Sequence, residues 1–366
     1  MLIVDGHLDL AWNALQWGRD LRRSVYTIRA HEHGLVGPGR GQGTVALPEL
    51  RKGGVAVCFA TVLARATGCP VPNLDFRSAS QAHGIAQGQL AYYRALAHDG
   101  LLRIITDVET LDRHWAEWSH WDAALTDSTT PADLAPPPLG IVLSMEGADP
   151  ILDPSQLAQW WEQGLRVMGL VHYGEGRYGG GTGSELGLQP AGLHLLKEAE
   201  QLGIILDLSH LSDPAFWEAL SHFNGAVIAS HNNCRALVPH QRQFSDAQLH
   251  AIFERDGVVG VACDAWMLKL GWTTGHTPPE SVSLSDVADH IDCLCQIAGN
   301  SRHAAIGSDL DGGFGREQCP HDLDTIADLQ ALGEILQMRG YSDADIAAIM
   351  HGNWLRVLRQ SWRPDA

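Results

Sequence analysis

Apolar residues are concentrated in eight short runs, several of them rich in β-branched side chains. The near-continuous hydrophobicity of these runs is typical of strands buried on both faces of a sheet. Longer segments of mixed polarity separate several of them. The predicted strands span residues 2–4, 55–62, 141–145, 166–171, 204–208, 226–230, 257–263 and 304–307.

Helical patterns follow several of these runs. Residues 78–98 carry small and apolar side chains on one face, as an amphipathic helix requires. A second helix is predicted over residues 192–202 and ends at Gly203. Ser212 has the hydroxyl that suits the N-cap of the next helix. The order is therefore strand then helix, repeated along the chain.

Repeated strand and helix units predict an α/β protein, a single TIM-type (β/α)8 barrel formed by residues 1–366. An open doubly wound sheet is the alternative. A further strand-like piece at 102–105 is predicted to lie outside the barrel. Loops at 31–43, 126–138 and 174–184 are rich in small or polar residues, and we expect long loops at the C-terminal face of the strands to shape a pocket.

The charge balance narrows the classes of partner. The formal net charge is -18, and charged residues make up 19% of the chain. Binding to phosphate groups requires clustered Lys and Arg, so nucleic acids and anionic membrane surfaces are not expected partners. Small molecules are the expected ligands.

Features of targeting and redox chemistry predict a cytoplasmic protein. No basic segment followed by an apolar stretch precedes the first predicted strand, and no run approaches the length of a membrane span. Seven cysteines form an odd set, and several of them lie in apolar runs. We expect buried thiols rather than disulfides.

Candidate metal ligands lie at the ends of the predicted strands. His7 and Asp9 closely follow the first apolar run, and a strand that continues through them would project residues two apart to the same side. One such pair is weak evidence in a chain with 19 histidines. The case is stronger because later runs also end in groups that bind metals, namely Glu146, His172, His210, His231 and Asp309.

Imidazoles and carboxylates in this combination suit a pair of divalent ions such as Zn2+, bridged by one carboxylate. Glu146 directly follows a buried strand, where an unpaired charge would be costly and a metal would stabilise it. Two cations lower the pKa of a water held between them and polarise a carbonyl group, so a two-metal hydrolase is predicted.

Other His-containing motifs have weaker contexts. The pair His290 and Asp292 lies in a helical pattern, where residues two apart do not face each other. The loop motif at His31 and His33 has no strand to hold it. We do not expect these residues, or His321 and His351, to bind metal.

The combined motifs resemble the membrane (renal) dipeptidases, a family of the metal-dependent amidohydrolase superfamily. The resemblance covers nearly the whole chain. It is carried by DGHLDL at 5–10, LPELRKGGV at 47–55, MEG at 145–147, DLSH at 207–210, SHN at 230–232, GSDLDG at 307–312 and GNWLR at 352–356.

This resemblance implies a dipeptidase with two Zn2+ per chain that cleaves the peptide bond by attack of a metal-bridging hydroxide. His7 and Asp9 would hold one ion, His210 and His231 the other, and Glu146 would bridge them. The resemblance also implies a small dipeptide substrate, acceptance of D-residues at its second position, and a homodimer.

Three further roles follow from the same resemblance. His172 would polarise the scissile carbonyl, Arg242 would contact substrate oxygens, and Asp309 would handle a proton or the substrate amine. A plain surface arginine is the alternative for Arg242, which lies in a polar run.

Two residues depart from the family pattern. Leu8 stands where relatives often have Asn between the first two ligands, and Asp264 stands where some relatives have an aromatic residue. An acidic side chain at that position would repel a free carboxylate, so we hypothesise a preference for cationic substrate residues.

Two other functions remain open from the sequence. One is a related amidohydrolase that acts on N-acyl amino acids or another small amide. The other is a barrel that binds a metal or ligand without turnover. A deaminase ranks below both, because its first strand would carry His-x-His rather than His7 and Asp9.

Overall fold

The strands of the computed structural model form one parallel sheet. The structure describes residues 1–68, 71–125 and 135–362. Within these residues the strands are β1 (Ile3–Leu8), β2 (Val55–Val62), β3 (Leu102–Ile104), β4 (Leu139–Met145), β5 (Leu165–Gly169), β6 (Ile205–Asp207), β7 (Val227–Ile228), β8 (Val259–Val261) and β9 (Ala304–Ile306).

The sheet is a near-closed barrel of eight parallel strands. Neighbouring strands pair in the order β7, β6, β5, β4, β2, β1, β9, β8. A parallel bridge between Ala229, just after β7, and Val259 of β8 joins the two ends of this series. The TIM-type barrel is therefore confirmed, and the open doubly wound sheet is wrong.

β3 lies off this path, as expected for the extra strand at 102–105. It pairs with the first residues of β4, from the Leu102 and Leu139 pair onward, while β5 pairs with the last residues of β4. One long strand thus has two successive neighbours on the same side, and β3 extends the sheet beyond the barrel wall.

Helices surround the barrel and complete the chain. They are α1 (Leu10–Gln16), α2 (Val25–His31), α3 (Leu47–Lys52), α4 (Ala79–His98), α5 (Val108–Leu125), α6 (Leu157–Glu162), α7 (Pro190–Leu202), α8 (Asp213–His222), α9 (Asp246–Glu254), α10 (Ala265–Leu268), α11 (Leu284–Ala298), α12 (Ala331–Met338), α13 (Asp343–Ala347) and α14 (Asn353–Ser361). A π-helical turn, Ala348–Gly352, connects the last two. Among the described residues, no helix has the length and apolar character that crossing a membrane requires.

The predicted helix ends agree with the capping chemistry of the structure. Ser212 accepts a hydrogen bond from the backbone N–H of Ala215 at the start of α8. Gly203 ends α7 in the left-handed conformation, with φ of 67°. The predicted strands at 204–208 and 257–263 are longer than β6 and β8, because the apolar runs continue past the last paired residues into the barrel rim.

Two of the other predictions concern residues that the structure describes only in part. The predicted loop at 126–138 lies mostly outside the described residues, which omit 126–134. Six cysteines in the described part of the chain are free thiols, and Cys69 lies outside it.

Alternate residues along the barrel strands belong to two separate apolar clusters. Val57 and Phe59 of β2 belong to the smaller cluster, whereas Cys58 and Ala60 belong to the larger one. The smaller cluster contains residues in or next to every strand of the barrel, together with Trp354 of α14. This alternation follows from the two-residue period of a strand, whose side chains point in turn to opposite faces.

Three glycines make room for one carbonyl group in the barrel. A Cβ atom added to Gly307, Gly260 or Gly6 would lie 1.8, 2.2 or 2.7 Å from the carbonyl oxygen of Ser230. No side chain can approach so closely, so these three positions need glycine for space. Ser230 directly precedes His231, and the close approach therefore supports the rim where the candidate ligands lie.

Gly307→Ala is expected to lower the free energy of unfolding by about 2 kcal/mol or more, because its methyl group overlaps the Ser230 carbonyl. Urea unfolding followed by circular dichroism measures the change. Gly333→Ala in α12 is the matched control, since its nearest neighbour would lie at 3.9 Å. The control is expected to gain stability by up to about 1 kcal/mol. Equal stability of the two variants would contradict the steric argument.

Candidate metal centre

Successive strands deliver polar side chains to one rim of the barrel at a repeated position. The third residue after the last residue of β5, β6, β7 and β9 is His172, His210, His231 and Asp309, respectively. Glu146 directly follows β4. Parallel strands end at the same edge, so residues at equivalent positions after them meet.

Glu146 lies at the centre of four imidazole rings. Its Oε1 is 3.0 Å from Nε2 of His210 and 3.2 Å from Nε2 of His231. The same oxygen is 3.6 Å from Nε2 of His172, and Oε2 is 3.7 Å from Nε2 of His7. All of these side chains are largely buried. The predicted residues are therefore close together in space.

Two more carboxylates border this cluster. Asp9 and Asp309 each place an oxygen 3.9 Å from Nε2 of His7. Side-chain atoms that lie within 4.8 Å of one another form three groups able to hold a metal ion: His7 with Asp9 and Glu146, Glu146 with His210 and His231, and His7 with His231 and Asp309.

The hydroxyl of Ser230 determines which nitrogen of two histidines is protonated. It donates its single proton to Oδ2 of Asp207, at 2.5 Å. Its oxygen can therefore only accept from Nδ1 of His231, at 2.8 Å, and from Nδ1 of His7, at 3.4 Å. In the neutral tautomers, Nε2 of both rings then carries a lone pair directed at Glu146.

Thr182 has the same effect on His210. Its hydroxyl lies 3.3 Å from the His210 carbonyl oxygen, to which it donates, and 3.0 Å from the ring Nδ1, from which it accepts. The lone pair on Nε2 of His210 then faces Nε2 of His231 at only 2.9 Å. Oriented imidazoles of this kind are typical of metal ligands held by outer hydrogen bonds.

The donor set therefore fits a bound cation. Within the described part of the chain, Nε2 of His7 and Oδ1 of Asp9 are buried without a hydrogen-bond partner. Lone pairs that converge on a carboxylate repel each other unless positive charge lies between them. The arrangement is able to bind metal for this reason.

The pKa shifts of the histidines also indicate that the cluster favours positive charge at its centre. Burial and the Arg242 guanidinium lower the pKa of His210 well below its ordinary value, which keeps the imidazole neutral. His7 differs: burial opposes its charge, yet the carboxylates of Glu146 and Asp9 raise its pKa well above the ordinary range. In the protein alone, a proton on His7 thus supplies part of the positive charge that the carboxylates require.

Two buried aspartates hold the strand ends that carry the cluster. Asp207 accepts from the backbone N–H groups of Ser209 and Ser230, at 3.0 and 2.9 Å. Asp5 of β1 accepts from the N–H groups of His7 and Ser308, at 3.1 and 2.9 Å. Each carboxylate therefore links its own strand to the neighbouring strand of the barrel. Asp207 is close in sequence to His210, and Asp5 is close in sequence to His7.

The buried side chain of Arg19 stabilises another part of the rim through hydrogen bonds. Arg19 donates to Oδ2 of Asp311 at 3.1 Å and to Oδ1 of Asn13 at 2.8 Å. The amide of Asn13 donates to the carbonyl oxygens of Asp9 and Asp311. This network connects the loop that carries Asp309 to the end of β1.

Glycine is also required beside Asp309. A Cβ at Gly312 would lie 1.9 Å from Oδ1 of Asp309, so only glycine leaves room for the carboxylate. Asp309 and His210 have φ of 55° and 67°, in the left-handed region that non-glycine residues seldom adopt. Such backbone conformations carry a cost that the surrounding structure offsets.

His172 interacts with an arginine that the sequence analysis did not identify. Arg65 is the third residue after β2 and places Nη1 3.3 Å from Nδ1 of His172. A guanidinium can only donate, so Nδ1 accepts and the proton of the neutral ring is on Nε2. Burial, with Arg65 and Arg242 contributing, lowers the pKa of His172 to about 4. The repeated third position after a strand could have indicated Arg65.

Arg242 is buried at the cluster, and the surface alternative is wrong. Its Nη2 donates to the carbonyl oxygen of His231 at 2.8 Å and lies 3.2 Å from Nε2 of His210. Its Nη1 is buried without a hydrogen-bond partner in the described structure. One face of the guanidinium is therefore available to a ligand.

A cavity of about 390 Å³ opens onto the cluster. Its volume is within the usual range for small-molecule sites. The polar groups that line it include Glu146, His172, Arg242 and Asp309, and its apolar walls come from Trp12, Leu63, Val71, Leu74 and Met267.

The other His-containing motifs lie apart from this cavity. His290 is a buried core residue whose Nδ1 accepts from the N–H of Cys234. In the 31–33 motif both histidines are exposed, and Glu32 is occupied by Arg19 and Arg40. The groups able to hold a metal in the described residues include none of these.

Asp207→Asn is expected to reduce metal affinity about 10- to 100-fold. Asparagine can keep the two backbone bonds, but its NH2 group would donate to Ser230, reverse the hydroxyl and move the His231 proton to Nε2. Metal competition titrations measure the affinity. Asp99→Asn, at an exposed position, is the control. Unchanged affinity in Asp207→Asn would contradict the proton assignment.

The sequence is similar to those of known dipeptidases. A family model described as membrane dipeptidase (peptidase family M19) matches residues 1–363. Dipeptidase aclJ of Aspergillus oryzae is 26% identical over 370 residues, which cover 97% of this chain and 77% of that protein. A protein in the pqqA 5' region of Klebsiella pneumoniae is 32% identical over 235 residues, which cover 62% of this chain and 83% of that protein.

Solved structures have the same architecture. The crystal structure of dipeptidase AC, an M19 metallopeptidase, has a TM-score of 0.76 at 25% identity, and 99% of each chain is covered. A metallopeptidase from Rhodobacter sphaeroides, liganded with a phosphinate mimic of the dipeptide L-Ala-D-Ala, has a TM-score of 0.77 at 24% identity with the same coverage. The family match over nearly the whole chain shows that this protein belongs to the membrane dipeptidases of peptidase family M19 and is a metallo-dipeptidase.

Proposed function

We propose that the protein hydrolyses small dipeptides at a centre of two Zn2+ ions. The observation that carries the proposal is the convergence of buried imidazole and carboxylate groups on Glu146, with Nε2 of His7 and Oδ1 of Asp9 left without partners among the described residues. His7 and Asp9 would hold one ion, His210 and His231 the other, and Glu146 would bridge them.

The ligand set suits zinc, which prefers imidazole nitrogen and carboxylate oxygen donors. When bound, two such cations supply a hydroxide nucleophile near neutral pH and polarise the carbonyl group under attack. The protein's own contribution is to orient the ligands through Ser230, Thr182 and Asp207, and to position the dipeptide.

His172 stabilises the oxygen of the scissile carbonyl. Arg65 donates a hydrogen bond to Nδ1 of the ring, so the ring proton is on Nε2. This Nε2–H group faces the cluster, 3.6 Å from Glu146. A neutral donor at this position strengthens its hydrogen bond as negative charge develops on the substrate oxygen. Arg65 thereby positions His172 without itself contacting the reacting atoms.

Arg242 binds substrate oxygens. Its unpartnered Nη1 and its position in the cavity suit the fork-like recognition of a carboxylate or of the tetrahedral centre. Small apolar side chains of a dipeptide would contact the walls formed by Trp12, Met267 and Val71. The cavity of about 390 Å³ limits the substrate to a few residues.

Asp309 transfers the proton. It lies beside His7 and lines the cavity, so it can accept the proton that the attacking water loses. It then delivers that proton to the nitrogen of the leaving amine. The bond between carbonyl carbon and nitrogen breaks in the same step.

We also propose that D-residues are accepted at the second position of the dipeptide. The relative from Rhodobacter sphaeroides, which has the same fold, is liganded with a mimic of L-Ala-D-Ala, and this supports the acceptance of D-residues.

We further propose that residues 1–366 form one catalytic domain.

Asp309→Asn is expected to retain two zinc ions per chain and to lose activity by about 100-fold or more, because the amide cannot accept the proton. Elemental analysis and steady-state kinetics measure the two quantities. Removal of metal with a chelator should abolish wild-type turnover, and added Zn2+ should restore it. Undiminished turnover in Asp309→Asn would refute the proton role, and metal binding without any turnover in the wild type would favour the non-enzymatic barrel.

A substrate panel separates the dipeptidase from an amidohydrolase acting on N-acyl amino acids. We expect Ala-Ala peptides with a free amino group to be hydrolysed at least about 10-fold more efficiently than their N-acetyl forms, since an ionised amine can pair with a carboxylate of the site. The second residue is supplied as L- or D-alanine. Faster cleavage of the acetylated compounds would favour the other amidohydrolase.

A further inference from the structure

Asp264 places a buried carboxylate in the wall of the substrate cavity. It is the third residue after β8, so it occupies the same rim position as His231 and Asp309 on the neighbouring strands. Only 6% of the residue is exposed, and it lines the cavity together with Arg242 and Met267. None of the metal-binding groups in the described residues includes it.

Neutral groups hold the Asp264 carboxylate in place. Asp264 precedes the short helix α10, and N–H groups of Trp266 in that helix bind its side chain. Its position is maintained by Gln318, whose Nε2 donates to both carboxylate oxygens at 3.1 and 3.2 Å. Thr274 donates to Oε1 of Gln318 at 2.5 Å and so orients the amide with its NH2 group toward Asp264.

The partners of Asp264 are neutral donors. The amide of Gln318 and the N–H groups of Trp266 stabilise its charge, while Arg242 acts on it only through space. The guanidinium of Arg242 uses its Nη2 for His231 and His210. Burial without an adjacent cation raises the pKa of Asp264 to about 7. A buried carboxylate in this environment gains most from a cationic ligand.

We propose that Asp264 is a specificity-determining residue that selects dipeptides with a cationic side chain on the carboxyl-terminal residue. The inference rests on the proposed dipeptidase function. Arg242 and Asp264 face the same cavity with opposite charges, and together they match a residue that carries both a carboxylate and a cation. Arginine and lysine are the residues of this kind.

The test compares arginine with citrulline, its neutral isostere, in the second position of Ala-X and in the first position of X-Ala. We expect the wild type to show kcat/KM about 10- to 100-fold higher for Ala-Arg than for Ala-citrulline. The assay is run at about pH 8.5, where most of a carboxyl group with this pKa is ionised. The second residue has the configuration, L or D, in which Ala-Ala is hydrolysed faster.

Asp264→Asn removes the charge at nearly constant volume and is expected to lower the Ala-Arg to Ala-citrulline ratio to about one. Asp289→Asn, on the outer surface of α11, is the matched control and should keep the wild-type ratio. Competitive inhibition by free arginine and free citrulline gives a second measurement, in which the preference for arginine should also be lost in Asp264→Asn.

The inference requires both a preference for the cationic residue and its dependence on Asp264. Equal rates for Ala-Arg and Ala-citrulline in the wild type would overturn the inference, as would a charge preference confined to X-Ala or unchanged by Asp264→Asn. If the wild type hydrolyses no dipeptide in the panel, the proposed function fails instead. If Asp264→Asn does not fold, Asp264→Ser is measured in the same way.

Discussion

The cost of burying the Glu146 carboxylate among four imidazoles organises this end of the barrel. Nε2 of His210 and of His231 approach Oε1 to within 3.2 Å, and the lone pairs assigned to them face the carboxylate. Such an arrangement is stable only with positive charge inside it, supplied by a proton on His7 or by metal ions. The affinity for a cation is therefore a consequence of how the protein orients neutral groups around one anion.

That orientation depends on hydrogen bonds outside the cluster. Asp207 accepts the hydrogen bond that the Ser230 hydroxyl donates, so the serine oxygen can only accept from the histidines. Asp5 joins β1 to the loop after β9, and Arg19 with Asp311 joins that loop to the end of β1. These bonds hold His210 and Asp309 in left-handed backbone conformations, at a cost that the rest of the fold offsets.

Charge is divided across the cavity in a way that suits its proposed substrate. Burial keeps His172 neutral, with Arg65 and Arg242 contributing, whereas Asp264 and Asp309 place carboxyl groups on the neighbouring strand ends. One barrel rim thus carries groups that suit the carbonyl oxygen, the carboxylate and the cation of the proposed substrate within a single cavity. The walls between these groups are apolar, which strengthens each interaction by excluding water.

The sequence by itself determined the alternation of strands and helices, and with it the rim that carries His7, Glu146, His210 and His231. Hydrophobic residues repeat with the period of the strand or helix that they form. Parallel strands all end at the same edge of the barrel, so the residues that follow each strand are expected to lie close together. The barrel and the clustering of the candidate residues could therefore be inferred from the sequence. Only the tertiary structure decided that Arg242 is buried, that Arg65 contacts His172, and that Ser308 is bound by Asp5 across 303 positions of the chain. These contacts are made between loops and strand ends that are distant in sequence, and no local periodicity encodes them. Hydrogen-bond direction, which sets the histidine lone pairs, depends on such nonlocal partners and so emerges only when the chain is folded.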